Sequence, residues 1–268
     1  MSLRAAIAGL GAIGLPVARA LHDGIPGLQL TAIAVGRADI AKRRLAEAGI
    51  AVPVVATAEL GTIADIVVDC APARAFRSVA ETALTAGRAL VTVNGAALLE
   101  APDIAALAGQ KTARIILVTG ALLGLDAVRA AAEGKIHSVR MISRKPPASL
   151  RGAPYLLAHD IAIETIDQPT RIFSGSARDG ARGFPANVNV AAALSLAGLG
   201  PDRTTLEIWA DPTVTRNIHT IEVDSDSARF TMTIENEPSA ENPATSRIAP
   251  LSVIAALRRL GASLSVGT

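Results

Sequence analysis

"LRAAIAGLGAIGLPVARALHDG", residues 3–24, is the stretch on which the fold turns. Its first six residues form a short apolar run with no polar face. "GLGAIG" follows at once, and "LPVARALHDG" continues with Val17 and Leu21 at helical spacing. Gly9, Gly11 and Gly14 therefore sit in a G-x-G-x-x-G string between a strand and a helix, the context in which that spacing means a dinucleotide loop. Gly9 permits the tight turn, Gly11 lets the backbone approach a pyrophosphate, and Gly14 lets helix and strand pack closely. The helix N-terminus adds amide donors and partial positive charge. The expected contacts are Gly9, Gly11, Ala12, Ile13 and Gly14, together with Ala71 and Pro72, which close the later run "DIVVDCAP". The competing reading is a glycine-rich turn that binds nothing.

The same alternation continues outward. "LQLTAIAV" (28–35) reads as a strand and "ADIAKRRLAEAG" as a helix stopped by Gly49. "VPVV", "ADIVVDCAP", "RALVTVNG" and "RIILVTG" read as further strands, with helices in "ARAFRSVAETALTAG" and "APDIAALAGQ". Apolar strands alternating with helices predict a parallel sheet covered on both faces, a Rossmann-type α/β domain over residues 1–120.

After Gly120 the pattern changes. The helix "LLGLDAVRAAAEGKI" is followed by segments with polar alternation: "SVRMISRK", "TLEIWAD", "NIHTIEVDS" and "ARFTMTIEN". These predict a second, α+β substrate domain over 121–242 with a mainly antiparallel sheet. The helix "NVNVAAALSLAGLG" interrupts them. Residues 146–185 show little periodicity and read as a functional loop or partly ordered connections. A last amphipathic helix, 243–262, is expected to return to the first domain.

Composition narrows the function. Half of the 268 residues are hydrophobic and 2% are aromatic, so the core is aliphatic and stacking platforms for bases are scarce. With 26 basic and 24 acidic residues, no polyanion-binding surface is expected, hence no nucleic acid. The run Lys42-Arg43-Arg44 reads as a solvated helix face. The single cysteine, Cys70, forms no internal disulfide, allows no cysteine zinc pattern, and reads as a structural thiol. No metal site is expected. The N-terminus lacks a signal-peptide layout, and Asp126 breaks the longest apolar stretch before membrane-spanning length. The expectation is a soluble, cytoplasmic protein with no membrane partner.

In NAD-type loops an acid about 20 residues on binds the adenosine ribose. Here the second strand ends "AVGRAD", with Arg37 where the acid belongs. An arginine there attracts a 2′-phosphate and pairs with it bidentately, which favours NADP over NAD. The other readings are a solvated loop arginine, or Asp39 swinging in to serve NAD.

"ADPTVTRNIHTIEV" (210–223) poses the chemical question. With period two, Asn217, His219, Ile221 and Val223 share an inward face, and Ile218, Thr220 and Glu222 a solvated one. His219 is then either a quiet core histidine or a proton carrier. The other histidines are poorer candidates. His22 ends a helix, His137 reads as surface just before a strand, and His159 adjoins Asp160, where it is structural or part of a lid.

Taken together, "TGALLGLDAVRAA" (119–131), "SRKPP" (143–147), "FSGSARDGARGFPANVNVAAALSLAG" (173–198), "ADPTVTRNIHTIEV" (210–223) and "ENEPSAENPATSRIAPLSVIAALRRL" (235–260) resemble the L-aspartate dehydrogenase family nearly end to end. The resemblance implies oxidation of aspartate by NAD or NADP to iminoaspartate, which hydrolyses to oxaloacetate and ammonia. It implies that His219 is the catalytic histidine, that Ala121 and Asn187 contact the cofactor, and that the protein is a homodimer. Such chemistry needs a base with pKa near working pH, and histidine starts near ~6.5. A substrate with two carboxylates needs cations or amide donors. Lys145 reads as one, or as a solvated strand-end charge. Asn187 and Asn189 open a helix, where they bind an anion or carboxamide, or simply cap it. Ser239, Asn242, Thr245 and Ser246 precede the last helix, and Thr245 or Ser246 reads as its cap or, alternatively, as a cofactor contact. The chain departs from the family pattern at Asn94, Leu122-Leu123 and Ala186. The alternatives left open are the same chemistry on another amino acid, or a non-catalytic NAD(P) sensor on the same fold.

Overall fold

The structure, a computed structural model, describes residues 2–185, 188–242 and 245–267. The chain forms two compact units, one from residues 1–118 and 249–266, the other from 119–248 and the last two residues.

The first unit is built on six strands: β1 (Leu3–Ala8), β2 (Leu28–Ala34), β3 (Val54–Val55), β4 (Ile66–Asp69), β5 (Ala89–Thr92) and β6 (Arg114–Leu117). All pairings are parallel and the order is β3-β2-β1-β4-β5-β6. This is the doubly wound order, with its topological switch between β1 and β4. Alternate residues feed two cores. Ala5, Ile7, Ile33, Ile66 and Val68 pack with Val17 and Leu21 of helix Gly14–Gly24 and Leu45 of helix Ala38–Glu47. Ala6, Ala8, Ala32 and Val67 pack with Val79, Leu84 and Ile104 of helices Phe76–Thr85 and Pro102–Gln110. The final helix, Ile248–Gly261, adds Val253 and Leu257 to the first of these cores, both fully buried. The "VPVV" segment contributes only Val54–Val55, at the sheet edge.

The second unit carries five strands: β7 (Ile136–Lys145), β8 (Thr170–Ser176), β9 (Thr204–Ala210), β10 (Asn217–Ser225) and β11 (Arg229–Asn236). Their order is β11-β10-β7-β9-β8, with β7–β9 parallel and the other pairings antiparallel. Helices Leu125–Ala132, Ala177–Gly183 and Asn189–Ala197 cover one face: a Cβ on Gly198 would touch Val128 and Val139, and one on Gly180 would strike Leu206. The opposite face bears an ion-pair row. Arg140 donates to Glu207 at 2.8 Å and Glu222 at 3.0 Å, and Trp209 Nε1 donates to Glu207 at 2.9 Å. Residues 146–185, which show no period in the sequence, are ordered into short helical turns, β8 and helix Ala177–Gly183. His137 lies within β7 rather than before it. Among the described residues, no helix is long and apolar enough to cross a membrane and no cluster of metal-ligating side chains occurs.

Candidate active site

In the first unit the register sets Ala8 beside Ala34 and Asp69, so three chain segments leave the carboxyl edge of the sheet together. They are the glycine loop, the Val35–Arg37 turn and the Cys70–Pro72 turn. Gly9 has φ +92° and a Cβ there would lie 2.6 Å from the Cys70 carbonyl, so only glycine fits. A Cβ on Gly14 would run into the Gly9 carbonyl, whereas one on Gly11 would meet nothing within 4 Å. The loop is thus tight at both ends and open over Gly11, the shape a pyrophosphate requires, and these residues fit a dinucleotide. Ala12 and Ile13 lie between, half-buried, leading into the helix.

The Cys70–Pro72 turn is fixed from below. The Asp69 carboxylate is fully buried and accepts from Thr92 Oγ1 at 2.8 Å, Asn94 Nδ2 at 2.8 Å and Ala71 N at 3.2 Å. Asn94 Nδ2 also donates to Ala71 O at 3.0 Å. Burial pushes the Asp69 pKa up, against the pull of these three bonds. Asn94 is therefore committed to holding the turn beside Gly9. Cys70 is half-buried, and its thiol is pushed up by burial and by the Asp69 carboxylate, the wrong direction for a nucleophile. Pro72 is exposed.

Arg44 corrects the reading of Lys42-Arg43-Arg44 as wholly solvated. Its guanidinium donates to Leu10 O in the glycine loop at 2.9 Å, while Lys42 and Arg43 are exposed. A three-residue basic run carries no sign of that tertiary contact. Arg37 stands exposed just before helix Ala38–Glu47, and Asp39 is exposed in the first turn of that helix.

The second unit holds a polar cluster on the covered face of its sheet. His219 is 2% exposed, and its Nδ1 lies 3.0 Å from Ser143 Oγ, its partner across the β7–β10 pairing. Ile221 and Val223 are buried on the same side, and Ile218, Thr220 and Glu222 are half-exposed on the other. Lys145, two residues beyond Ser143, is 5% exposed, and no hydrogen bond or ion pair to its ammonium occurs among the described residues. Burial alone lowers its pKa to about 8. Burial, and then the Lys145 charge, hold the His219 imidazole well below its usual value, so it is neutral at physiological pH. Asn217 shares the face, and its Oδ1 is buried with no hydrogen-bond partner among the described residues.

Asn236, opposite Asn217 in β11, ties this cluster to the turn at Ala121. It donates from Nδ2 to Ala121 O at 3.1 Å and accepts at Oδ1 from Ser246 Oγ at 3.0 Å. Ser246 Oγ also accepts from Ile248 N at 3.2 Å, so it caps the last helix. Ser143 and Asn236 escaped the sequence reading. Strand alternation from Lys145 would have found the first, but the second depends on register. Asn189 is half-buried as the first residue of helix Asn189–Ala197. Asn187 and Ala186 lie outside the described residues. His159 stacks on Tyr155 at 3.9 Å between ring centroids, and His22 and His137 are exposed.

The chain matches known proteins along most of its length. A family model described as "Aspartate dehydrogenase, C-terminal" matches residues 126–260, and one described as "Homoserine dehydrogenase, NAD binding domain" matches residues 9–118. The L-aspartate dehydrogenase of Bradyrhizobium diazoefficiens is 54% identical over 268 residues, covering 99% of this chain and 94% of that one. L-aspartate dehydrogenase 3 of Bordetella bronchiseptica is 51% identical over 267 residues, covering 99% and 98%. Among solved structures, the aspartate dehydrogenase of Thermotoga maritima matches with a TM-score of 0.76 over 100% of both chains at 20% identity, a likeness of fold.

Proposed function

The chain belongs to the L-aspartate dehydrogenase family, and on that premise we propose that it oxidises L-aspartate to iminoaspartate with NADP or NAD, His219 acting as the acid–base group. The observation that carries the reading is a buried, neutral imidazole braced by Ser143 and set near a buried ammonium.

Gly9, Gly11, Ala12, Ile13, Gly14, Ala71 and Pro72 hold the dinucleotide, with Ala121 and Asn187 towards its nicotinamide. When bound, the nicotinamide supplies the hydride acceptor. Lys145 binds a substrate carboxylate, and Asn189 supports the second through the amide end of its helix. With its proton on Nδ1 donated to Ser143 Oγ, His219 keeps Nε2 free to accept. It takes the proton from the substrate ammonium so that the amine is neutral when hydride leaves Cα. The Lys145 charge that depresses His219 depresses a nearby ammonium as well, so that charge does not widen the gap between the two groups. Once that proton has passed to solvent, the same nitrogen deprotonates the water that adds to the iminium carbon, and returning the proton to the amine nitrogen releases ammonia and leaves oxaloacetate.

Residues 1–120 with 243–262 form the dinucleotide domain in this reading, and 121–242 the substrate domain. Arg37 in place of the ribose-binding acid favours NADP. Family resemblance supports a homodimer. Because Asn94 is spent on Asp69 and Ala71, its departure from the family pattern does not act on the choice of amino acid. The test is reduction of NADP and NAD by pure protein across a panel of amino acids. L-Aspartate is expected to give the highest kcat/KM. Turnover with another amino acid only, or cofactor binding without turnover, overturns the reading.

A further inference from the structure

Asn217 Oδ1 is a buried acceptor without a donor among the described residues. Such an atom loses its water and gains nothing, and native folds keep few of them. Its position shows what it lacks. Asn217 lies two residues before His219 on the same face of β10. The last recorded β7–β10 pair at that end is Ile218 opposite Arg144, so the antiparallel register places Asn217 beside Lys145. Across β11 it faces Asn236.

No neighbouring donor bonds to it among the described residues. Ser143 is bonded to His219, and Asn236 is bonded through each end of its amide, to Ala121 and to Ser246. Lys145 is a donor of the right sign, but it makes no bond to Asn217, and a substrate carboxylate competes for its three N–H groups. In this cluster Asn217 Oδ1 and the free nitrogen of His219 are the two acceptors left, and they sit on one strand face. A dicarboxylate alone would satisfy Lys145 and leave Asn217 unpaired. An α-amino dicarboxylate satisfies both.

We propose that Asn217 Oδ1 accepts a hydrogen bond from the substrate's α-amino group and so selects an amine over its deaminated analogue. The inference rests on the reading of this face as the substrate site. The bond survives the reaction, because ammonium, amine and iminium each carry an N–H. It aims the remaining nitrogen proton, or lone pair, at His219 and Cα. Asn217 therefore sets where the nitrogen sits, and His219 moves the proton.

Calorimetry on the protein saturated with NADPH tests this without turnover, using L-aspartate and succinate as probes. Asn217→Ala is expected to weaken L-aspartate by about tenfold to a hundredfold and succinate by less than about twofold. Asn217→Asp keeps an acceptor in the same place and is expected to retain L-aspartate better than Asn217→Ala while weakening succinate. Unchanged melting temperature and NADPH affinity confirm that both variants are folded. Equal losses for both probes, or loss of both in Asn217→Asp, mean that the amide turns its NH2 towards a carboxylate, and overturn the proposal. Undiminished L-aspartate binding in Asn217→Ala overturns it too. Wild-type protein that binds succinate while the variants fail to discriminate sinks this inference alone. Wild-type protein that binds neither probe sinks the substrate site with it.

Discussion

Asp69 and Lys145 are buried charges at the carboxyl ends of central strands, one in each unit, and the two are treated in opposite ways. Asp69 ends β4 with three donors on its two oxygens. Lys145 ends β7 with no partner on its ammonium among the described residues. The first charge is a strut. Its acceptors are filled, and its effect is to fix the turn beside the glycine loop. The second costs stability, and in the proposed function it pairs with a substrate carboxylate. A buried charge already satisfied by its own fold has structural work; one left unsatisfied has a ligand.

The largest effect is expected next to the unsatisfied charge. His219→Ala should lower kcat by roughly 10²–10⁴ with NADPH affinity unchanged, since it removes proton transfer and nothing from the first unit. Wild-type turnover in this variant would make the imidazole a core residue and erase the contrast.

Lys145→Met sharpens the contrast with a sign. The folded pKa of about 8 lies below the unfolded 10.5, so the unfolded chain binds more protons between those values and wild-type stability rises with pH there. Below pH 8 the full cost of the buried ammonium is present, on the order of 3 kcal/mol at ~1.4 kcal/mol per pKa unit. The methionine variant should therefore melt higher than wild type at pH 7 without ligand, and the advantage should vanish towards pH 10.5. It should also lose L-aspartate affinity, and the acid limb of any residual activity should move to higher pH as His219 escapes the neighbouring charge. A variant that melts lower at pH 7 would place Lys145 with Asp69 among the struts.

Arg37→Ala probes an exposed charge, where water screens the interaction. A charge-assisted pair with a 2′-phosphate contributes about 1.5–3 kcal/mol, or less, so NADP should lose roughly tenfold to a hundredfold in KM while NAD is unaffected. Equal loss of both cofactors would return Arg37 to the solvent.

The smallest change is expected from Asp69→Asn, and its sign is opposite to that of Lys145→Met. An amide nitrogen would confront donors from Thr92 or Asn94, costing about 1–2 kcal/mol. The loosened turn should raise KM for NADP and NAD equally. Equilibrium unfolding in urea checks the first point and steady-state kinetics the second. An Asp69→Asn variant more stable than wild type would remove the distinction between the two buried charges.

Much of this molecule is legible in its sequence because local periodicity carried it. The glycine spacing, the strand–helix alternation and the inward face of 217–223 need only neighbours along the chain. β8 was illegible for a physical reason: its register shifts between Arg171 and Phe173, so Ile172 and Phe173 are both buried and the period of two is broken. Arg44 escaped because its bond to Leu10 O joins residues 34 apart. Ser143 and Asn236 escaped because their roles come from strand register. Lys145 was visible as a charge, but its burial runs against its hydropathy, and that conflict between side chain and surroundings is what marks the site.

The helix Ile248–Gly261 gives the molecule an order of assembly. A Cβ on Gly261 would collide with the Pro26 carbonyl, and Val253 and Leu257 sit fully buried with Ile7 and Val17. The first unit is thus completed by residues 249–266, which are synthesised after residues 119–248 of the second. The second unit is continuous and can collapse during synthesis. A nascent chain therefore exposes an unfinished first unit until that helix has been made. A premature stop before Val253 would leave the Gly9–Gly14 loop in the chain but remove two fully buried side chains, Val253 and Leu257, from the core they share with Ile7 and Val17.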